Sequence, residues 1–376
     1  MKDSKIAIYV TEAYYLKEQL YGVSGHVQIP LKTTSLLSEK NINVDFITTK
    51  PKGANHLMID LSENVKIKTV LHSTKKWPKK GVSLFRSFIQ IVQLIILIKK
   101  ENYSLIHFFG GYKTGMVAVI SKLIFANKRV FFSPISEPEQ IYTGSGFNFF
   151  RNLDLIISNS EFVAQKWKSF VGEHKSVVIK PGIVKNIIPI FNDGQRDIIL
   201  FWRNADYNNG ADIMISIVKQ LAPVFKRKKF VFAIRPGSEF EHSINELSFK
   251  FTNVFVYIHP YENQITIEKL LSQSLLVIAP YRKLSINPQI SILESLFAGV
   301  PVVASNVESN NEVIQHGITG IIVGINDSKD YVRSIKKLLF DPEFLRKLRE
   351  NSIKQTREKY NWNSYIDHLK KIYSGN

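Results

Sequence analysis

The chain contains no cysteine among its 376 residues. That excludes disulfides, thiolate metal ligands and cysteine nucleophiles, and it fits a reducing compartment. Acidic residues are scarce beside basic ones: 32 Asp and Glu against 50 Lys and Arg leave a formal charge of +18, so an anionic neighbour is expected. A bilayer-spanning run is also missing. The greasiest stretch, Ser87 to Ile98, has 12 residues, where about 20 are needed to cross. Met1 to Val10 run straight into a strand pattern, with no apolar core of a secretory signal. The expected location is the cytoplasm, with peripheral attachment to the inner face of the membrane.

Several chemical signatures are absent too. There is no Gly-x-Gly-x-x-Gly after the first strand, no Walker loop, no His-Glu-x-x-His, no Gly-x-Ser-x-Gly and no Asp-x-Asp. Dinucleotide dehydrogenases, P-loop kinases, zincins, lipase-like hydrolases and metal–carboxylate enzymes are disfavoured together. No repeat of solenoid length and no low-complexity tract occurs.

What is present is an ordinary globular composition, 44% hydrophobic and 22% charged with 25 Phe, enough to fill the cores of two domains. Short β-branched runs alternate with segments of helical period, which predicts an α/β fold of βαβ units with parallel sheets. Candidate strands are Lys5–Thr11, Val44–Thr49, Leu105–Phe109, Arg129–Ser133 and Leu155–Asn159. A second series runs Asp197–Phe201, Lys229–Ile234, Val254–Ile258, Leu275–Ala279, Val300–Ala304 and Gly320–Val323. The Pro- and Gly-punctuated stretch between them predicts domains at 1–189 and 190–358, with 359–376 as a closing helix that packs back on the first domain.

The positive charge is uneven. Residues 1–190 hold 26 basic and 13 acidic side chains, leaving 24 and 19 for the rest. Lys75, Lys76, Lys79 and Lys80 surround Trp77, a pattern that suits an anionic lipid surface and equally describes a solvated lysine-rich face. Ser83, Arg86, Ser87, Gln90 and Gln93 recur at helical spacing as one polar stripe, opposite a wide apolar face that either packs on a sheet or lies in a membrane interface. No nucleic-acid-binding motif accompanies the charge, and nucleic acid is not an expected partner.

The most informative segment is Leu275 to Ser305, in which Glu294 is the one carboxylate of an otherwise apolar helix. A buried carboxylate needs a partner. Ribose hydroxyls and an internal Lys or Arg are equal alternatives from local context.

Here the chain resembles the retaining nucleotide-sugar glycosyltransferases of family 4, which have the GT-B fold of two Rossmann-like doubly wound domains facing a central cleft. Leu293-Glu294-Ser295-Leu296-Phe297-Ala298-Gly299-Val300-Pro301 resembles the family's second-glutamate motif, and Glu312 to Gly320 and Tyr360-Asn361-Trp362 resemble later signatures. Gly22 to Val27 and Val178 to Gly182 resemble its glycine loop and interdomain turn. The resemblance implies that Glu294 binds ribose and that Arg203 binds the diphosphate, these two being the catalytic candidates. It implies a donor site that also includes Gly22, Tyr261, Arg282, Lys283, Asn287, Gln289 and Ile290, with His107 and Ser133 on the acceptor side, although a lone histidine after a strand is often structural. No metal and no cofactor beyond the nucleotide-sugar substrate are implied.

Three positions depart from the family. Its donor-sugar glutamate is Ile286 here, its diphosphate lysine is Asn209 and its histidine after the fourth strand is Ile135. Arg282 or Lys283 in place of the lost cation, and Asn287 with Gln289 toward the sugar, are the expected compensations; the acid-poor loop suggests a deoxy sugar. The expected function is transfer of a sugar to a glycan or lipid-linked acceptor in surface polysaccharide or glycoconjugate synthesis, lipopolysaccharide included. The alternative is a non-catalytic GT-B subunit that scaffolds an active transferase.

Overall fold

A computed structural model describes residues 5–15, 25–50, 54, 56–57, 61–71, 80–138, 148–183, 187, 196–261 and 265–375. The chain forms two units, Met1–Val184 with Trp362–Asn376, and Lys185–Asn361. The divisions therefore fall at 184/185 and 361/362, against 189/190 and 358/359 from the sequence.

In the first unit the apolar runs become β1 (Ile6–Val10), β2 (Tyr14–Tyr15), β3 (Val44–Lys50), β4 (His56–Leu57), β5 (Lys66–Leu71), β6 (Leu105–Gly110), β7 (Arg129–Pro134), β8 (Leu155–Ser158) and β9 (Ser176–Val178). Seven of them form one parallel sheet in the order β5-β3-β1-β6-β7-β8-β9, with β2 and β4 paired apart from it. The intervening helices are α1 (Gln28–Glu39), α2 (Lys80–Glu101), α3 (Tyr112–Ile124) and α4 (Glu161–Val171). Strands buried on both faces need a continuous apolar sequence, and β1, β6 and β7 supply it. Edge strands do not: β5 is Lys66-Ile67-Lys68-Thr69-Val70-Leu71, largely exposed, and β9 has three residues, so neither stands out in the sequence.

The helix α2 packs on the sheet through part of its apolar face, with one departure from the expected polar stripe. Gln90, assigned to the solvent stripe, is buried and donates to the Tyr9 hydroxyl at 2.8 Å, because a phenol buried in a central strand requires a hydrogen-bond partner. Gln93 accepts from the Leu71 amide at 2.8 Å. Leu94 and Ile98 face the core, while Phe88, Val92 and Ile96, one helical turn apart, are 63%, 36% and 60% exposed.

The second unit contains β10 (Ile198–Phe201), β11 (Lys229–Ile234), β12 (Val254–Ile258), β13 (Ser274–Ala279), β14 (Val302–Ser305) and β15 (Gly320–Val323). Its helices are α5 (Ala211–Leu221), α6 (Glu241–Lys250), α7 (Ile267–Ser272), α8 (Ile290–Phe297), α9 (Asn310–Val313), α10 (Ser328–Phe340) and α11 (Pro342–Lys359). The strand order β12-β11-β10-β13-β14-β15 reverses direction between β10 and β13. In an open parallel sheet, that reversal opens a crevice at the carboxyl ends of the two strands.

The last helix, α12 (Trp362–Ser374), belongs to the first unit. It buries Tyr365, Ile366, Leu369 and Tyr373 against Ile6, Ile8, Phe109 and Phe131. Trp362 donates to the Ile183 carbonyl at 2.7 Å, and Arg129 donates to the Tyr373 carbonyl at 2.8 Å. Among the described residues, no helix is long and apolar enough to cross a membrane.

Candidate functional site

The crevice between β10 and β13 is where the sequence concentrates its polar side chains. Phe201 ends β10 and Trp202-Arg203-Asn204 turn out of the sheet; Ala279 ends β13 and the loop 280–289 leads to α8. Gly210 allows the two to meet. Its φ is +71°, and a Cβ there would lie 1.9 Å from the Pro280 carbonyl oxygen, so only glycine lets α5 begin against the end of β13.

Arg203 is held by neutral acceptors. Its Nη2 donates to Ser285 Oγ at 3.0 Å. The carboxamide oxygen of buried Gln289, turned toward it, lies 2.9, 3.1 and 3.3 Å from Nη2, Nη1 and Nε. An arginine fixed without a carboxylate keeps its full charge available for an anion. Gln289 thus serves the arginine rather than pointing into open space toward a sugar.

The other expected compensations resolve differently. Arg282 forms a two-pronged ion pair with Asp212, both contacts 2.7 Å, donates to the Tyr207 carbonyl at 2.7 Å and lies 3.8 Å above the Tyr207 ring. Its guanidinium is raised above the ordinary arginine range by the hydrogen bonds to Asp212, and it does not replace the missing lysine. Asn209 lies 2.9 Å from both carboxylate oxygens of Asp206. Asn287 is fully buried, donating to Glu308 at 2.6 Å and accepting from the Ser309 hydroxyl at 2.6 Å. It is an internal brace of the loop, not a sugar ligand. Lys283 and Ser285 are exposed, and Ile286 and Ile290 are half-buried.

Glu294 is 2% exposed on α8 and has a partner within the chain. Beside it, Trp202 donates to Ser295 Oγ at 3.4 Å, so the β10 loop rests on α8. Tyr261 follows β12; burial first, against the opposing charge of Arg235, pushes its hydroxyl up to about 12.

Arg235, at the end of β11, escaped the sequence reading. It lies in no motif, and its relevance comes from a neighbouring strand. It is exposed as a residue, yet partial desolvation and then the charge of Arg203 hold its guanidinium below the usual range.

In the first unit, His107 and Ser133 form a closed core network. His107 Nε2 lies 2.8 Å from Ser133 Oγ, and Nδ1 lies 2.6 Å from the Tyr373 hydroxyl. Ser133 donates its proton to the Ile157 carbonyl at 2.7 Å, so it accepts from Nε2–H and leaves Nδ1 to accept from Tyr373. Complete burial lowers the imidazole to about 3. Both residues are therefore structural, correcting the acceptor-side assignment. Ile135, at the end of β7, is half-buried. Gly22, Lys75, Lys76, Trp77 and Lys79 lie outside the described residues, as does the side chain of Lys80.

Residues 185–355 match the family described as glycosyl transferases group 1. The uncharacterized glycosyltransferase MJ1178 of Methanocaldococcus jannaschii is 21% identical over 317 residues, 83% of this chain and 86% of its own. Sucrose-phosphate synthase from Thermosynechococcus elongatus superposes with a TM-score of 0.77 at 16% identity, covering 99% of this chain and 98% of that one. Anabaena Alr3699/HepE, solved in complex with UDP-glucose, gives 0.72 at 12% identity, covering 99% and 100%. The two parallel sheets with flanking helices are the GT-B arrangement.

Proposed function

We propose that this chain, a glycosyltransferase carrying a group 1 domain over residues 185–355, moves a sugar with retention from a nucleoside-diphosphate donor to a glycan or lipid-linked acceptor of surface polysaccharide synthesis. The observation that carries the reading is Arg203. It stands at the strand reversal where α/β sheets bind nucleotides, is oriented by Gln289 and Ser285, and has no ion pair among the described residues. A diphosphate supplies the missing counter-charge, and stabilising it as it leaves lowers the barrier to transfer. The amino end of α8 near Ile290 adds amide dipoles to the same charge. In this reading no metal and no protein nucleophile are needed. Glu294 holds the ribose hydroxyls. Support for the donor class comes from the UDP-glucose held by Alr3699/HepE.

The first unit takes the acceptor and rests on the anionic leaflet of the membrane from the cytoplasmic side. The exposed row Phe88, Val92 and Ile96, followed by Lys99 and Lys100, supports this, as does the charge surplus of the first 190 residues.

The scaffold reading retains one specific observation in its favour. Ile286 stands where the resemblance requires a carboxylate, and neighbouring Asn287 is already bonded to Glu308 and Ser309. Nucleoside-diphosphate release from UDP-, GDP- and dTDP-sugars separates the two. An active enzyme releases product from one of them, at least slowly by hydrolysis. Glu294→Ala weakens the affinity for that donor by about 1.5–3 kcal/mol with the fold retained. No release from any donor, with glycolipid acceptors present, selects the scaffold.

A further inference from the structure

Arg203 and Arg235 reach the same end of the second sheet from adjacent strands. Phe201 of β10 is level with Phe232 of β11, and Phe232 with Val256 of β12. Both arginines follow the ends of these paired strands, Arg203 two residues after β10 and Arg235 directly after β11, where the His259 amide donates to the Ile234 carbonyl at 2.9 Å. Neighbouring parallel strands lie about 4.8 Å apart, so the two residues leave the sheet from adjacent strands, and the charge of Arg203 acts on the Arg235 guanidinium. The loops that carry them are joined. Ser238 Oγ lies 2.6 Å from the Arg235 carbonyl and 2.8 Å from Asn204 Oδ1, and it accepts from the Ala205 amide at 3.3 Å.

Two fixed like charges repel each other, and most described arginines of this unit that lie near an acid are paired: Arg282 with Asp212, Arg333 with Asp330, Arg346 with Glu350. Arg203 and Arg235 have no ion pair among the described residues. Such a pair is held at a net cost unless an anion enters between them. Two cations match the charge of two linked phosphates better than that of one carboxylate, and Tyr261, which interacts with Arg235, offers a ring surface for a base. Asn209 is bonded to Asp206 and Arg282 to Asp212, so neither provides the second cation.

We propose that Arg235 is a phosphate-binding residue of the donor site, acting with Arg203 on the diphosphate of the nucleotide. The inference rests on the donor reading above and adds to it a residue outside any motif. In this site the diphosphate lies across the ends of β10 and β11, between Arg203 on the α8 side and Arg235 on the Tyr261 side.

The test is calorimetric titration of the full-length protein with UDP, GDP and inorganic pyrophosphate. The proteins compared are wild type, Arg235→Ala, Arg235→Lys and, as a control for general surface charge, Arg227→Ala. All the replaced side chains are exposed, so unfolding is not expected, and a thermal melt verifies it. Arg235→Ala is expected to weaken nucleoside diphosphate and pyrophosphate tenfold to a hundredfold. Arg235→Lys recovers part of that loss, and Arg227→Ala stays within twofold. Wild type and Arg235→Ala binding UDP or GDP equally well overturns the role of Arg235 and leaves the donor reading intact. Wild type binding pyrophosphate but neither nucleotide, with the loss in Arg235→Ala, overturns the donor reading and keeps the anion site. Wild type binding none of the three overturns both.

Discussion

His107 shows how far a residue's neighbours decide its role. The resemblance puts it on the acceptor side, yet it lies within the buried strand β6 and the atom that fixes its use is the hydroxyl of Tyr373, 266 positions later. No local pattern reveals that partner. Arg203 and Glu294 stand out in the sequence because motifs surround them; the influence of Arg203 on Arg235 and the Arg282–Asp212 pair do not, since each depends on which strands are adjacent. The His107 network has a measurable signature in stability. The folded imidazole titrates near 3 because of its burial, and the unfolded one near 6.5. The unfolded chain therefore takes up a proton that the folded one refuses. The stabilisation is complete above about pH 6.5 and is lost as pH falls toward 3, by about 1.4 kcal/mol per pH unit. Urea unfolding of wild type and His107→Leu between pH 7 and pH 4.5 checks this. The stability difference between them should shift against wild type as pH falls; a pH-independent difference would contradict the account.

At the scale of elements, the doubly wound series was readable because central strands are apolar runs and α5, α8 and α10 carry apolar stripes. The edges β5 and β9 were not readable, since a half-exposed strand alternates weakly and a three-residue strand carries no period. The helix α2 departs from its sequence reading at Gln90, a member of the polar stripe that is buried, while Leu94 and Ile98 pack in the core as expected. Its glutamines recur at helical spacing, as a solvent stripe would, but the Tyr9 hydroxyl requires one of them inside. The apolar residues left outside, Phe88, Val92 and Ile96, are the part of the element on which the proposed membrane contact rests. Replacing Phe88 and Ile96 together by Asp should reduce sedimentation with phosphatidylglycerol vesicles at least fivefold while leaving the thermal midpoint within a degree or two, because neither side chain is in the core. Unchanged sedimentation, or a wild type that never sediments, removes the membrane role. The helices α11 and α12 are consecutive yet belong to different units, dividing at 361/362 where the sequence suggested 358/359. Nothing in their composition distinguishes them; Trp362 bonded to Ile183 and Tyr373 bonded to His107 do.

For the whole molecule, the +18 charge suits an anionic partner, and the two parallel sheets provide the frame in which the proposed donor site is set. What the sequence left open was how the proposed site, which lacks three polar side chains of the family it resembles, would hold a donor. In the second unit Gln289 and Ser285 orient Arg203 and Asp206 holds Asn209 in the loop before α5; in the proposal above, Arg235 adds a cation from the next strand. The central claim is that this arrangement binds a nucleoside diphosphate. It is tested most directly by titrating the purified full-length protein with UDP, GDP, dTDP and CMP in a calorimeter. The account predicts saturable 1:1 binding of one of the three diphosphates, in the micromolar range and weakened by salt. Absence of heat with all three diphosphates would contradict it.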